Sequence, residues 1–276
     1  MSRFGRTLSA EFRKVTATKI WWILAVVLAA YSAMMAVTFA FLFGTMSDQL
    51  GEGVPLPSGQ ETANMVYASV ATFGYVVPLL VGSLFATGEI RHHILGLAFI
   101  AEPKRGIVLL SKTLVLLGVG ALLGIAGLIG AVPSGAAVIG ATGGEPMLGT
   151  TDTWSLITRV VAVIAVWAVI GFGIGLIVRN QAFAIVLALV FTQFLEPVLR
   201  AGAQFWDWSA NIARFFPGAA TDAFVGSSAM SLAAGDMSAA GGADPLSWWQ
   251  GLLVLLVYVV VTIAAGWWLR WRRDVE

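Results

Sequence analysis

The chain has 276 residues, of which 58% are hydrophobic and 11% charged, with a mean hydropathy of +0.87 and a formal net charge of +1. Soluble domains carry about 25% charged residues, so this composition excludes an ordinary soluble domain, and a charge so close to zero argues against nucleic acid as a partner. The absence of cysteine excludes disulfides, thiolate metal sites and thiol catalysis.

Residues 1–19 place Phe4, Leu8, Phe12 and Val15 at i, i+4, i+8 and i+11, one face of a helix. Arg3, Arg6, Arg13 and Lys14 supply charge on the same segment. The pattern predicts a helix lying in the inner membrane interface. The apolar run that follows is 24 residues long, whereas the apolar core of a signal peptide is about 7–15 residues. A retained first span is therefore expected.

A membrane-crossing helix needs about 20 apolar residues. Six such runs are predicted, at 20–43, 62–87, 107–132, 156–178, 182–199 and 248–269, within one domain covering 1–276. The third can continue to 141, past Pro133. Backbone groups must pair internally in lipid, so the fold class is all-α.

The 44–61 segment holds Gly, Pro and acidic residues and reads as an irregular loop. The second span is unusually polar, with Asn64, Tyr67, Ser69, Thr72, Tyr75 and Ser83 beside Pro78. A helix facing only lipid would not keep these groups, so this span lines a cavity or a helix–helix seam. Between the second and third spans, residues 89–112 hold a charged cluster (Glu89, Arg91, His92, His93), an apolar stretch at 94–101, and a Pro103-Lys104-Arg105 break. A plain hairpin needs only a few solvated residues, so this loop reads as a docking element for a partner protein. His92 and His93 are adjacent and diverge by about 100° on a helix, which suits polar contacts in the loop better than metal chelation.

Gly120/Gly124 in the third span and Gly171/Gly175 in the fourth have the spacing that lets helices approach closely. In the fifth, Glu196 lies near the outer end; Arg200 at i+4 is in reach to pair with it, but Pro197 between them can distort that turn. An intramembrane carboxylate marks either a gate on a substrate path or an ion pair at the water boundary. The 201–247 segment carries Phe205-Trp206-Asp207-Trp208, then Arg214-Phe215-Phe216-Pro217-Gly218, an apolar helix-like run at 219–232, and a flexible 233–244 stretch. Short helices dipping into the outer leaflet or capping a cavity are expected here.

Basic residues set the orientation. With both termini, the 88–106 loop and the 179–181 turn on one side, that side holds 13 of the 16 Lys and Arg residues, leaving only Arg159, Arg200 and Arg214 across the membrane. The expectation is N-in and C-in. Trp21, Trp22, Trp248, Trp249, Trp267 and Trp268 fall at span ends, as interfacial anchors do.

The chain has no G-x-x-x-x-G-K-[ST] phosphate loop and no H-E-x-x-H motif. What it has is an ordered set of features. The leader Leu8-Ser9-Ala10-Glu11-Phe12-Arg13-Lys14 precedes a span opening Lys19-Ile20-Trp21-Trp22. Gly88-Glu89-Ile90-Arg91 closes the second span, and Glu102-Pro103-Lys104-Arg105 leads to Lys112 at the start of the third. Phe216-Pro217-Gly218-Ala219 stands before the last span. In this order the chain resembles the permease subunits of type-2 ABC exporters, with His92-His93 standing where that family often has Gly-Thr. The resemblance implies a half-transporter in a bacterial plasma membrane. It would pair with a second permease, identical or related, and with two copies of an ATPase. ATP and Mg would sit on that ATPase, with no cofactor in this chain.

The resemblance further implies that the leader is an elbow helix. Glu89, Arg91, His92, His93, Leu97, Phe99 and Arg105 would belong to the coupling segment on the ATPase. The outer 205–232 region, with Phe215 and Phe216, would form gate helices. Glu196, Arg200, Tyr67, Tyr75 and Asn64 are the candidate gate or pathway residues, for a small amphipathic drug, lipid or peptide. A channel or scaffold acting without an ATPase is the alternative, and a lipid-modifying enzyme using Glu196 a further one.

Overall fold

The computed structural model describes residues 3–49, 57–91, 98–100, 102–178, 180–203, 207–227 and 246–271. Every regular element among them is helical, and six helical stretches are long and apolar enough to cross a membrane, the pattern of a multi-pass membrane protein. In chain order the helices are α1 (Arg3–Ala17), α2 (Ile20–Gln49), α3 (Gly59–Gly74), α4 (Val76–Arg91), α5 (Arg105–Ala141) and α6 (Thr151–Ile177). They continue with α7 (Gln181–Val190), a π turn (Phe191–Leu195), α8 (Glu196–Gly202), α9 (Asp207–Ala213), α10 (Pro217–Val225) and α11 (Trp248–Gly266), which ends in a second π turn (Trp267–Trp271).

The helices follow from local signals. Ser58 caps α3 in a capping box: its hydroxyl accepts from the Glu61 N–H while the Glu61 carboxylate accepts from the Ser58 N–H. α3 and α4 together make the second span, broken at Tyr75 just before Pro78, whose ring cannot sit against the carbonyl four residues back. Pro133 lies within α5 without ending it, so the third span runs its full 37 residues. The 44–61 loop is shorter than expected, because α2 continues to Gln49 and α3 starts at Gly59.

α6 is the centre of the bundle. It packs against α4, α5 and α11, and most of its length is buried. Glycines make this possible. A Cβ at Gly171 would lie 2.0 Å from the Leu79 carbonyl oxygen of α4, and one at Gly120 would lie 2.6 Å from the Ala165 Cα of α6. Both pairs with GxxxG spacing are thus contact stripes, Gly120/Gly124 for α5 on α6 and Gly171/Gly175 for α6 on α4. The first, fifth and sixth spans leave most of their surface outside the bundle.

α1 packs inward with Leu8 and Val15 of the predicted apolar face, but with Glu11 beside them and Phe12 turned outward. Glu11 and Val15 are buried, Leu8 is half-buried against the core, and Phe12 is 55% exposed. The buried stripe is Leu8–Glu11–Val15, with a carboxylate at its middle.

The helix expected over 219–232 is α10, which starts at Pro217 and stops at Val225. Gly226 closes it with φ +85°, a left-handed conformation that glycine adopts without strain. Phe205, Trp206 and the 233–244 stretch lie outside the described residues.

Candidate functional site

Two polar centres are buried in this apolar bundle. The first joins α1, the end of α4 and the first turns of α5. Lys112 is fully buried, and its Nζ donates to Glu11 Oε2 at 2.7 Å and to Glu89 Oε1 at 2.5 Å. Lys14 donates to Glu11 Oε1 at 2.7 Å and reaches Glu89 Oε1 at 3.4 Å. The Phe85 ring lies 5.3 Å from the Lys112 ammonium. Two anions and two cations leave the cluster neutral, which is how charge can persist where burying it alone would be costly. Burial works against the Lys14 charge, but the Glu11 and Glu89 carboxylates outweigh it and raise its pKa above the ordinary 10.5.

Glu89, which the resemblance assigns to a coupling segment, is a member of this cluster. Its carboxylate is buried between Lys112 and Lys14, fastening helix ends together. Arg91, the last residue of α4, is exposed and lines a cavity of about 630 Å³ with Asn180, Gln181, Ala182 and Ile185. Phe99 is half-buried, with the Arg105 guanidinium 5.0 Å from its ring. His92, His93 and Leu97 lie outside the described residues. Among the described residues no three His, Cys, Asp or Glu side chains gather to hold a metal ion.

The second centre sits where the second and fifth spans meet α10. A cavity of about 140 Å³ is lined by Thr72, Phe73 and Tyr75 from one side, Thr192, Gln193, Glu196, Pro197 and Arg200 from another, and Gly218 and Asp222 from the third. The Glu196–Arg200 pair that the i+4 spacing allows does not form, and the distortion expected at Pro197 is present. Arg200 donates to Asp222 Oδ2 at 2.7 Å, and Glu196 Oε1 accepts the Gly218 N–H at 2.6 Å. The reason lies in the backbone. Pro197 has no N–H and its ring would crowd the carbonyl of Gln193. The chain answers with the π turn, in which the Glu196 N–H reaches back five residues to the Phe191 carbonyl. That rotates the turn and aims Glu196 at the N-terminus of α10, whose own N-cap residue Phe216 has no side-chain acceptor to offer. A carboxylate from a neighbouring helix thus caps α10 and meets its positive dipole end.

The surrounding side chains fix this arrangement. The Tyr75 hydroxyl donates to the Thr192 carbonyl at 2.9 Å, and its ring stacks on Trp167 at 4.4 Å. The Trp167 indole N–H donates to Thr221 on α10, and Thr72 donates to Asp222. Tyr67 is buried one and a half turns away from this cavity, donating to the Pro146 carbonyl in the α5–α6 connection. Asn64 is half-buried near the start of α3 and accepts from Gln60. The structure therefore brings Tyr75, Glu196 and Arg200 together and leaves Tyr67 and Asn64 apart from them. Phe216 opens α10, while Phe215 is 44% exposed beside the Arg214 guanidinium.

Glu11, Lys112 and Asp222 are the residues that spacing alone passed over. Each had a signal. Glu11 lies one turn from both Leu8 and Val15 of the apolar face of α1, Lys112 lies inside an apolar run, and Asp222 is the only charge in 219–232. A lone charge in an apolar run needs a partner. No protein-family model and no curated protein matches this chain.

Proposed function

We propose that this chain is the membrane-spanning subunit of an ATP-driven type-2 ABC exporter, set N-in and C-in in a bacterial plasma membrane. It pairs with a second permease, identical or related, and with two ATPase subunits. The observation that carries the reading is the buried Glu11–Lys112–Glu89–Lys14 cluster. It fastens both ends of the 89–112 segment, through Glu89 and Lys112, to the amphipathic helix α1. The two ends of the segment, so fastened, move with α1. A partner that seats on the segment pushes α1, α4 and α5 together, which is the mechanical requirement for a separate chain to drive the spans. ATP binding then changes which spanning arrangement is favoured, since a partner shifts a conformational equilibrium only through its different affinity for the two states.

In this assignment α1 is the elbow helix, with Leu8, Glu11 and Val15 toward the bundle and Phe12 toward lipid. Arg91, Phe99 and Arg105 offer the contacts on the coupling segment, and α9 and α10 are the short outer helices. The cargo is a small amphipathic molecule.

The test is co-purification with the ATPase. Arg91→Glu and Phe99→Asp are expected to release the ATPase or abolish transport while the permease still reaches the membrane. Undiminished co-purification and transport in both variants would overturn the docking role. Substrate flux without any ATPase would favour a stand-alone channel.

A further inference from the structure

α1 carries five charged side chains, Arg3, Arg6, Glu11, Arg13 and Lys14. Glu11 and Lys14 are engaged in the buried cluster. Arg3, Arg6 and Arg13 are exposed, and among the described residues none of the three makes an ion pair. Glu11 is the sole carboxylate of α1 and is buried, so the outward side of this helix is basic with no anion of its own.

The helical repeat gives this surface a direction. At about 100° per residue, Arg6 and Arg13 fall within about 20° of each other and about 140–180° around from the inward Leu8 and Val15. They stand about 100–120° around from Phe12 and about 10 Å apart along the axis. The depth of α1 follows from its neighbours. Only Thr18 and Lys19 separate it from the first span, and Glu11 meets Lys112 in the first turns of the third. α1 therefore lies at the boundary between membrane and water. Phe12, exposed on its surface, gains by entering the acyl region. With Phe12 toward the acyl chains and Leu8 and Val15 toward the bundle, Arg6 and Arg13 extend sideways along the headgroup layer.

The chemistry of a headgroup answers theirs. A guanidinium donates paired N–H groups to a phosphate. A zwitterionic lipid offsets its phosphate with its own ammonium, whereas an anionic lipid leaves that charge open. Each basic side chain near an anionic surface strengthens binding about fivefold.

We propose that the Arg6–Arg13 face of α1 binds the phosphate groups of anionic phospholipid in the leaflet on which α1 lies. The two guanidinium groups take neighbouring headgroups, and Phe12 packs among the acyl chains. Such binding requires only a chain that spans a bilayer and does not rest on the exporter reading.

The test places a reporter between the two arginines. Ala10 is exposed and one turn from each, and Ala10→Cys gives a single thiol in a chain without cysteine. The full chain, labelled there with bimane, is reconstituted into bilayers of phosphatidylcholine and phosphatidylglycerol. One lipid or the other carries the same acyl nitroxide as quencher, so the two quenching curves give the relative association of each lipid at that site. Phosphatidylglycerol should be preferred about tenfold or more. Arg6→Gln combined with Arg13→Gln should bring the preference to within about twofold of equality. Arg6→Lys combined with Arg13→Lys keeps the charge and should retain most of it. A second reporter at Gly149→Cys, exposed on the α5–α6 connection between Glu145 and Asp152, should show no preference. Equal quenching by the two lipids at position 10, a preference that survives the glutamine pair, or an equal preference at position 149 would each overturn the proposal. No ATPase is present in the assay, so failure here and failure of the exporter reading are separately visible.

Discussion

Lys112 shows how much one side chain can hold. Removing it leaves Glu11 and Glu89 as two buried carboxylates with only Lys14 between them. Breaking a buried ion pair from one side costs about 3–5 kcal/mol, so Lys112→Met should lower thermal stability in detergent by about that amount. Glu89→Gln combined with Lys112→Met should cost less than the sum of the two single changes, a coupling readable in a double-mutant cycle. Lys14 is one-third exposed at its side chain, and its contribution is smaller and screened by solvent. Its pKa is raised in the fold above 10.5, so its stabilising effect is present below that pH and is lost as pH climbs through the raised folded value. Melting temperature should therefore fall above pH 10.5 more steeply in the wild-type chain than in Lys14→Met. The presence of charge at these positions was legible in the sequence; their pairing was not. Glu11 and Lys112 are 101 residues apart, and no local period connects them.

The helices were largely legible because lipid enforces them. Six apolar runs became six long helical stretches, with ends displaced by a few residues. The departures came from tertiary contacts that spacing does not encode. α1 turned its Glu11 stripe inward because Lys112 was there to meet it. The fifth span changed register through a π turn because Pro197 could not follow an α-helical carbonyl. The close-packing glycines give a sharp contrast at this scale. Gly171→Val would drive a side chain into the Leu79 carbonyl, while a Cβ at Gly118 meets nothing within 4 Å. Overpacking costs about 1–3 kcal/mol or more, so Gly171→Val should sharply reduce the yield of monodisperse protein on size exclusion. Gly118→Ala should be neutral or stabilise by up to about 1 kcal/mol, the usual gain of alanine over glycine in a helix.

At the scale of the whole molecule, the N-in reading rests on the 13-to-3 distribution of basic residues, and the cysteine-free sequence makes it simple to test. Gly149→Cys and Lys104→Cys place single thiols at exposed positions in the connection between α5 and α6 and just before α5. A membrane-impermeant maleimide should label the first in intact cells and the second only after lysis; the reverse pattern would invert the orientation. The bundle is uneven. α6 and the second span carry the core, while the first, fifth and sixth spans show most of their surface outward. That asymmetry was legible in part: the polar groups of the second span marked it as a seam, whereas hydropathy alone does not separate the buried α6 from the outward-facing first, fifth and sixth spans.

The buried cluster also has a history in time. Its members enter the chain at positions 11, 14, 89 and 112. During synthesis at about 5–20 residues per second, Glu11 waits roughly 5–20 s before Lys112 is made. Until then α1 lacks its anchor. α1 is thus made before the residues that hold it, and its locking marks the moment when the start of the third span has emerged.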